Sequence, residues 1–334
     1  MNKNIFLIAL LLAVSLPLVG CNKSGKLAKR SEFKAPSGPV ELKIKWPLGE
    51  RVEQDLDMKQ KMDINIPGQP APMHQETTMG QGFGLTVLQA LPDGGTEVEM
   101  DFLSARMSSK MGEKTLVDYD STKKAAPGAA NPVADMFGKI IGSKIQFFLD
   151  ASNGVQRVEG VDDMIKRMSV GAQAQALAPL KSLYSEGYFK QMMSANQFMP
   201  TNAVQPGDTW PIHMEFPMAG MGSIVMNYDV NFARWEMHGA RNCARLEFSG
   251  ALQIKPDPNA KPGAMVITIP EGNTYGASWF DPELGITIDT TMNQTMTMVI
   301  QLPQNPKAKP GAPKGMTMTN QMTQVMTIKL ASVK

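Results

Sequence analysis

The stretch "GMTMTNQMTQVMTIKL", from Gly315 to Leu330, decides the fold. Split by parity, Met316, Met318, Asn320, Met322, Gln324, Met326, Ile328 and Leu330 fall on one side. Thr317, Thr319, Gln321, Thr323, Val325, Thr327 and Lys329 fall on the other. A period of two belongs to a β-strand, here with a methionine face turned inward and a threonine face turned out. The preceding run "GITIDTTMNQTMTMVIQL" follows the same grammar, with Ile286, Ile288, Met292, Gln294, Met296, Met298, Ile300 and Leu302 on one face. Between the two lies "PQNPKAKPGAPKG", whose prolines and glycines admit only a loop. The pair therefore predicts a long antiparallel hairpin. At about 3.3 Å per residue, a strand from Ile286 to Leu302 would run about 55 Å, so it has to bend, break at a bulge or wrap around something.

Working outward, "RVEQDLDMKQKMDINI" sets Val52, Leu56, Met58, Met62, Ile64 and Ile66 against Arg51, Glu53, Asp55, Asp57, Lys59, Lys61 and Asp63, one face buried and one wet. After the loop "PGQPAPMHQ" come strand candidates "GFGLTVLQAL" and "TEVEMDFLSARM", joined by the turn "PDGG". A third unit reads "GSIVMNYDVNFARWEM", turn "HGAR", "NCARLEFSGALQI", loop "KPDPNAKPG" and "AMVITI". The middle differs: "NPVADMFGKIIG" reads as a short helix and "SKIQFFLDASNGVQRVEG" as a hairpin. A helical insert follows over about residues 161–198, opened by Asp162 or Asp163 and interrupted at Gly171, Pro179 and Gly187. Strands with one apolar face outnumber the helices. The expectation is an α+β fold: a large curved antiparallel sheet, a half-barrel, with a few short helices covering its concave face.

The first twenty residues, "MNKNIFLIALLLAVSLPLVG", carry a lysine near the front and an apolar run from Ile5 to Val14, the pattern of a cleaved secretory signal. Their end, "LVGC", resembles the lipobox of bacterial lipoproteins, and that resemblance makes Cys21 the acylated N-terminus of the mature protein. Asn22 stands where many inner-membrane lipoproteins have aspartate, which points to the outer membrane. Residues 21–40 read as a flexible basic tether, with Lys23, Lys26, Lys29, Arg30 and Lys34 against Glu32. The expected partner is thus a membrane, reached through the lipid, with residues 41–334 forming the curved-sheet domain.

Net charge is +2, which gives no electrostatic footprint for nucleic acid. With Cys21 lipidated, Cys243 has no partner for a disulfide within the chain and reads as a small strand residue. His74, His213 and His238 lack metal-ligand spacing, and Asp118 and Asp120 in "VDYDS" read as turn carboxylates. No nucleophile elbow, phosphate loop or cofactor motif occurs, so the expectation is a protein without catalytic activity and without a cofactor.

The unusual number is 27 methionines, which outnumber the leucines after Cys21. Methionine is flexible and polarizable and recurs where a surface accepts varied partners. Met58 and Met62, Met292, Met296 and Met298, and Met316, Met318, Met322 and Met326 are the candidate lining of a concavity for an apolar or lipid-like ligand. Gln60, Gln294 and Gln324 are the polar groups set among them, in company with Gln54 and Asn320. Three other readings stay open. The amides can pair across strands inside a closed core of a structural lipoprotein. The module can act as an interaction partner for another envelope protein. The MxM and MxxxM spacings also suit a periplasmic Cu(I) binder.

Five phrases, "WPLGERVEQDLDMKQKMDI", "LVDYDSTKK", "FFLDASNGVQRVEG", "VQPGDTWPI" and "ASWFDPELGITIDTTMNQTMTM", together resemble bacterial lipoproteins of a family catalogued only as a domain of unknown function. The resemblance spans Glu41 to Lys334 and implies no activity. The plan of lipobox, long curved strands and short helices is also similar to periplasmic lipoprotein carriers that shield acyl chains, by architecture alone.

Overall fold

The computed structural model describes residues 35–123, 138–170, 184–194, 198–218, 222–258, 265–302 and 316–334. The signal, the lipobox with Cys21 and nearly all of the tether lie outside the described residues, as does the loop between the two methionine strands. Described are β1 (Arg51–Asn65), β2 (Met73–Ala90), β3 (Thr96–Met111), β4 (Lys114–Asp120), β5 (Lys144–Leu149) and β6 (Val155–Glu159). Two helices follow, α1 (Val161–Ser169) and α2 (Glu186–Met193). The chain then builds β7 (Thr209–Met218), β8 (Gly222–His238), β9 (Arg241–Lys255), β10 (Val266–Asp281), β11 (Ile286–Leu302) and β12 (Met316–Val333).

All twelve strands belong to one antiparallel, open sheet in the order β6, β5, β3, β2, β1, β12, β11, β10, β9, β8, β7, with β4 paired to β3 beside that path. Each half of the chain is a meander, and the halves are joined by the first strand pairing with the last. β1 and β12 lie side by side from Val52 and Val333 to Asn65 and Thr319. The two helices sit in the connection between β6 and β7, which are the opposite edges of the sheet.

That placement curls the sheet. α2 packs against both β6 and β7. Its Phe189, 1% exposed, meets Phe102 of β3 edge-on at 6.5 Å, while the neighbouring Tyr188 meets Phe216 of β7 at 6.4 Å. An amphipathic helix lying between the two sheet edges thus buries aromatic side chains against β3 on one side and the edge strand β7 on the other. At the other margin the segment 40–46 runs across the strand ends. Val40 bridges Val204, Asn153 Nδ2 donates to Ile44 O at 3.2 Å, and Lys45 N donates to Gly285 O at 3.0 Å. Leu42 and Ile44 point into the core beneath it.

The predicted strand Ile286 to Leu302 is β11, unbroken, and pairs with β12 without a register shift. The irregularities lie on its other side and one strand away: β10 carries an extra residue between Thr268 and Glu271, β11 itself one at Ile288 opposite Trp279/Phe280, and β12 one at Ala331 opposite Glu53/Gln54 of β1. Some local expectations change. "VDYDS" opens in strand β4 instead of a loop, because Val117 is buried and pairs with Ser109. The strand after the first Pro-rich loop starts at Met73, nine residues earlier than "GFG", its inward Gln75 and Thr77 being polar and so hidden from an apolar count. Gly160, at φ 89°, takes the N-cap of α1 in place of an aspartate, and Asp162 and Asp163 occupy the first turn, where they complement the helix dipole. A Cβ at position 160 would lie 2.3 Å from Lys144 O, so the chain crosses β5 there only as glycine. α2 is capped by Ser185, whose Oγ accepts from Tyr188 N at 3.1 Å.

Candidate functional site

Inward residues on adjacent antiparallel strands stand opposite one another, so the register of β1, β12 and β11 sorts the interior into rungs. Met58, Met326 and Met292 form one rung. Gln60, Gln324 and Gln294 form the next, and Met62, Met322 and Met296 the one after. Ile64, Asn320 and Met298 follow, then Met318 opposite Ile300. All of these are buried, the methionines at 1–4% exposure and the glutamines at 1–4%. The expected lining residues therefore do converge, on three adjacent strands at the centre of the sheet. The Met316 side chain lies outside the described residues.

The glutamine rung continues in both directions. Toward β3, Gln60 stands opposite Thr77 and Thr77 opposite Ser109. Toward β8, Gln294 stands opposite Thr274, Thr274 opposite Gly250 and Gly250 opposite Tyr228. A Cβ on Gly250 would sit 2.6 Å from Tyr228 Cδ1, so the glycine makes room for the phenol ring that completes the row. A polar belt thus crosses the interior between two methionine rungs.

The belt bonds within itself incompletely. Gln324 Nε2 donates to Gln294 Oε1 at 3.2 Å, the Thr77 and Ser109 hydroxyls lie 3.2 Å apart, and Gln75 Nε2 donates to Ser109 Oγ at 3.3 Å. Other donors turn to sulfur: Gln60 Nε2 to Met322 Sδ, Tyr228 OH to Met226 Sδ at 2.6 Å, and Gln294 Nε2 to Met292 Sδ at 3.9 Å. Thioether sulfur is a weak acceptor. Gln324 Oε1, and Asn320 Oδ1 two rungs further along β12, are among the buried side-chain atoms of the described residues that have no hydrogen-bond partner. Leaving such an atom unpaired costs roughly 1–3 kcal/mol. Burial pushes the Tyr228 phenol well above its ordinary range, so the belt is uncharged at neutral pH.

The described clefts face elsewhere. One of about 370 Å³ is lined by the outward Lys61, Asp63, Thr295, Thr297 and Thr323 together with Met296 and Met322. Another, of about 540 Å³, lies at the β8–β9 turn among His238, Arg241, Ile288, Asp289 and Lys329. No described cleft includes Gln60, Gln294 or Gln324. The histidines are dispersed: His74 Nδ1 lies 2.6 Å from Asp63 and His213 Nδ1 lies 2.8 Å from Asn227, both at the surface. His238 stacks on Trp279 at 4.4 Å and reaches Asp289 at 3.1 Å. Among the described residues no group of three or more His, Cys, Asp or Glu side chains is placed to hold a metal ion, and no helix is long and apolar enough to cross a membrane.

Sequence reasoning missed Gln75, Thr77, Ser109, Thr274 and Tyr228. The signal was present for Tyr228, which shares parity with Ile224, Met226, Val230 and Phe232 on a strand with one buried face. For the others the signal was absent, since a polar side chain on an inward position reads as an interruption until cross-strand register supplies its neighbours.

Among solved structures the chain is similar to lipovitellin, in a structure concerned with lipid–protein interactions, at 9% identity and a TM-score of 0.39 over 87% of this chain and 26% of that one. The chain thus spans about a quarter of lipovitellin's length. It is similar to an exported protein of YmcC-like fold from Bacteroides fragilis, at 13% identity and a TM-score of 0.25 over 88% of this chain and 100% of that one. A lipoprotein-sorting domain from Vibrio parahaemolyticus matches at 8% identity and a TM-score of 0.11, over 83% of this chain and 84% of that one. No curated protein sequence matches. The model of a family of unknown function, DUF6263, matches residues 93–268, more than half of the chain, and the protein belongs to that family.

Proposed function

We propose that this is a lipid-anchored protein of the bacterial cell envelope, without catalytic activity, that takes an apolar or lipid-like ligand into the methionine-lined interior of its curled sheet. Its place is the periplasmic face of the outer membrane, with Cys21 as the acylated residue. One observation carries the reading: two buried amide oxygens, on Gln324 and Asn320, stand unpaired among the methionine rungs of the central strands. A core selected only for packing pairs its buried polar atoms or omits them. Methionine rungs repack at low cost around a guest, and α2, which lies between the two sheet edges and makes aromatic contacts to β3 and β7, is the natural side of entry.

A closed-core structural lipoprotein is the second reading. It is favoured by the 1–4% exposure of the methionines and by the absence of the glutamines from the described clefts. The Cu(I) reading has less support, because Met322, Met292 and Met226 already turn their sulfur toward amide or phenol donors. The deciding experiment purifies the full chain from an envelope fraction and measures what accompanies it by mass spectrometry. Lipid at near-stoichiometric level above a control lipoprotein is expected. Lipid no higher than the control overturns ligand holding and leaves the closed core, and copper in its place establishes the third reading.

A further inference from the structure

Resting on the ligand-holding reading, we infer the chemical class of the guest: a long alkyl or acyl chain that bears a hydroxyl group part-way along its length. Three features of the polar belt lead there.

The first is position. Inward residues recur every second residue, about 6.8 Å apart along a strand. The glutamine rung has a methionine rung on each side; beyond one stand Leu56 and Ile328 with Thr290, and beyond the other Ile64 and Met298 with Asn320. A polar group seated at the belt therefore has apolar lining both above and below, which fits a mid-chain substituent and not a headgroup at a chain end.

The second is charge. The belt is made of Ser109, Thr77, Gln60, Gln324, Gln294, Thr274 and Tyr228 and contains no ionised side chain to pair a buried carboxylate or ammonium. Desolvating an unpaired ion costs several kcal/mol, so the group that sits there is neutral.

The third is hydrogen-bond balance. Gln324 Oε1 lacks a donor, while Gln60 Nε2, opposite it in the same rung, turns to the thioether sulfur of Met322; Asn320 Oδ1, two rungs further along β12, lacks a donor as well. The Gln60–Gln324 rung is thus short of a donor and of a good acceptor at one place. A hydroxyl supplies both from one atom.

The test titrates stearate and a hydroxystearate with its hydroxyl at mid-chain into the full chain carrying Cys21→Ser, followed by calorimetry. The hydroxylated chain should bind about tenfold tighter, one hydrogen bond's worth. Gln324→Met, which keeps the volume and removes the amide, should erase the preference between the two chains. Asn320→Leu serves as the second variant, should circular dichroism show that the first fails to fold. Equal affinity for the two chains in the unsubstituted belt overturns this inference and leaves the ligand-holding reading standing. Binding of neither chain overturns both, and assigns the unpaired amides to ordered water. A preference that survives both Gln324→Met and Asn320→Leu places the hydroxyl away from the belt and overturns the inference as well.

Discussion

Glu53 shows how single residues hold this sheet at its middle. Its carboxylate accepts from Lys334 Nζ and Ser332 Oγ, each at 2.8 Å, and from Arg51 Nε at 3.2 Å, joining the first strand to the end of the last. These donors, Lys334 foremost, hold its pKa at about 2, below the ordinary value of 4.5. A carboxyl whose pKa is depressed by folding contributes fully above its unfolded value and loses that contribution as pH falls through the folded one. Stability should therefore drop between about pH 4.5 and 2, and Glu53→Gln should remove part of the drop. Identical acid denaturation curves for the two proteins would refute the assignment. Cys243 makes the opposite case. It is fully buried, and burial pushes its thiol up to about 12. Since the thiolate is the reactive form, a colorimetric disulfide reagent at pH 8 should leave the folded protein unmodified and titrate one thiol here only after denaturation. Prompt labelling of the native protein at this residue would contradict the burial.

The strands divide into a protected centre and managed edges. β7, at one edge, carries Pro211 and Pro217 at exposed positions of one parity, where a missing N–H faces away from the ladder with β8. His213 shares that parity, so His213→Pro should cost about 1 kcal/mol or less. Met322 lies in β12 with Met62 on one side and Met296 on the other, so proline there removes a ladder hydrogen bond inside the sheet and should prevent folding. Thermal melts of the two variants decide it: comparable losses would mean that β12 is not the centre. The central elements were legible in the sequence because a period of two, mostly methionine against threonine over β12 and mostly Ile, Met and Gln against polar residues over β11, leaves one face inward and fixes register. β2 was read short and β4 was read as loop because Gln75, Thr77 and Ser109 are polar and buried. The candidate methionines and glutamines were legible as a face, but their assembly into rungs was not, since pairing β1 with β12 joins residues from opposite ends of the chain.

At the scale of the whole molecule that pairing sets the design. Two meanders, β1 to β6 and β7 to β12, meet at β1 and β12, and the helices between β6 and β7 draw the far edges together. Contacts between Val52 and Val333 span nearly the full chain, which makes folding slow by topology. Protection against hydrogen exchange should then be graded, highest in β1, β12 and β11 and lowest in β6 and β7. α2 is the element that controls the low end. Phe189 is 1% exposed and touches Phe102, Tyr184 and Tyr188, so Phe189→Ala removes the ring on which the seam closes, at a cost of about 3–5 kcal/mol. If the sheet is curled by α2, the variant should lose protection in β5, β6 and β7 while β1, β11 and β12 keep theirs, and any bound amphiphile should exchange faster with strand content unchanged. A uniform loss of protection over all twelve strands would show that α2 supports the whole core instead of closing a seam.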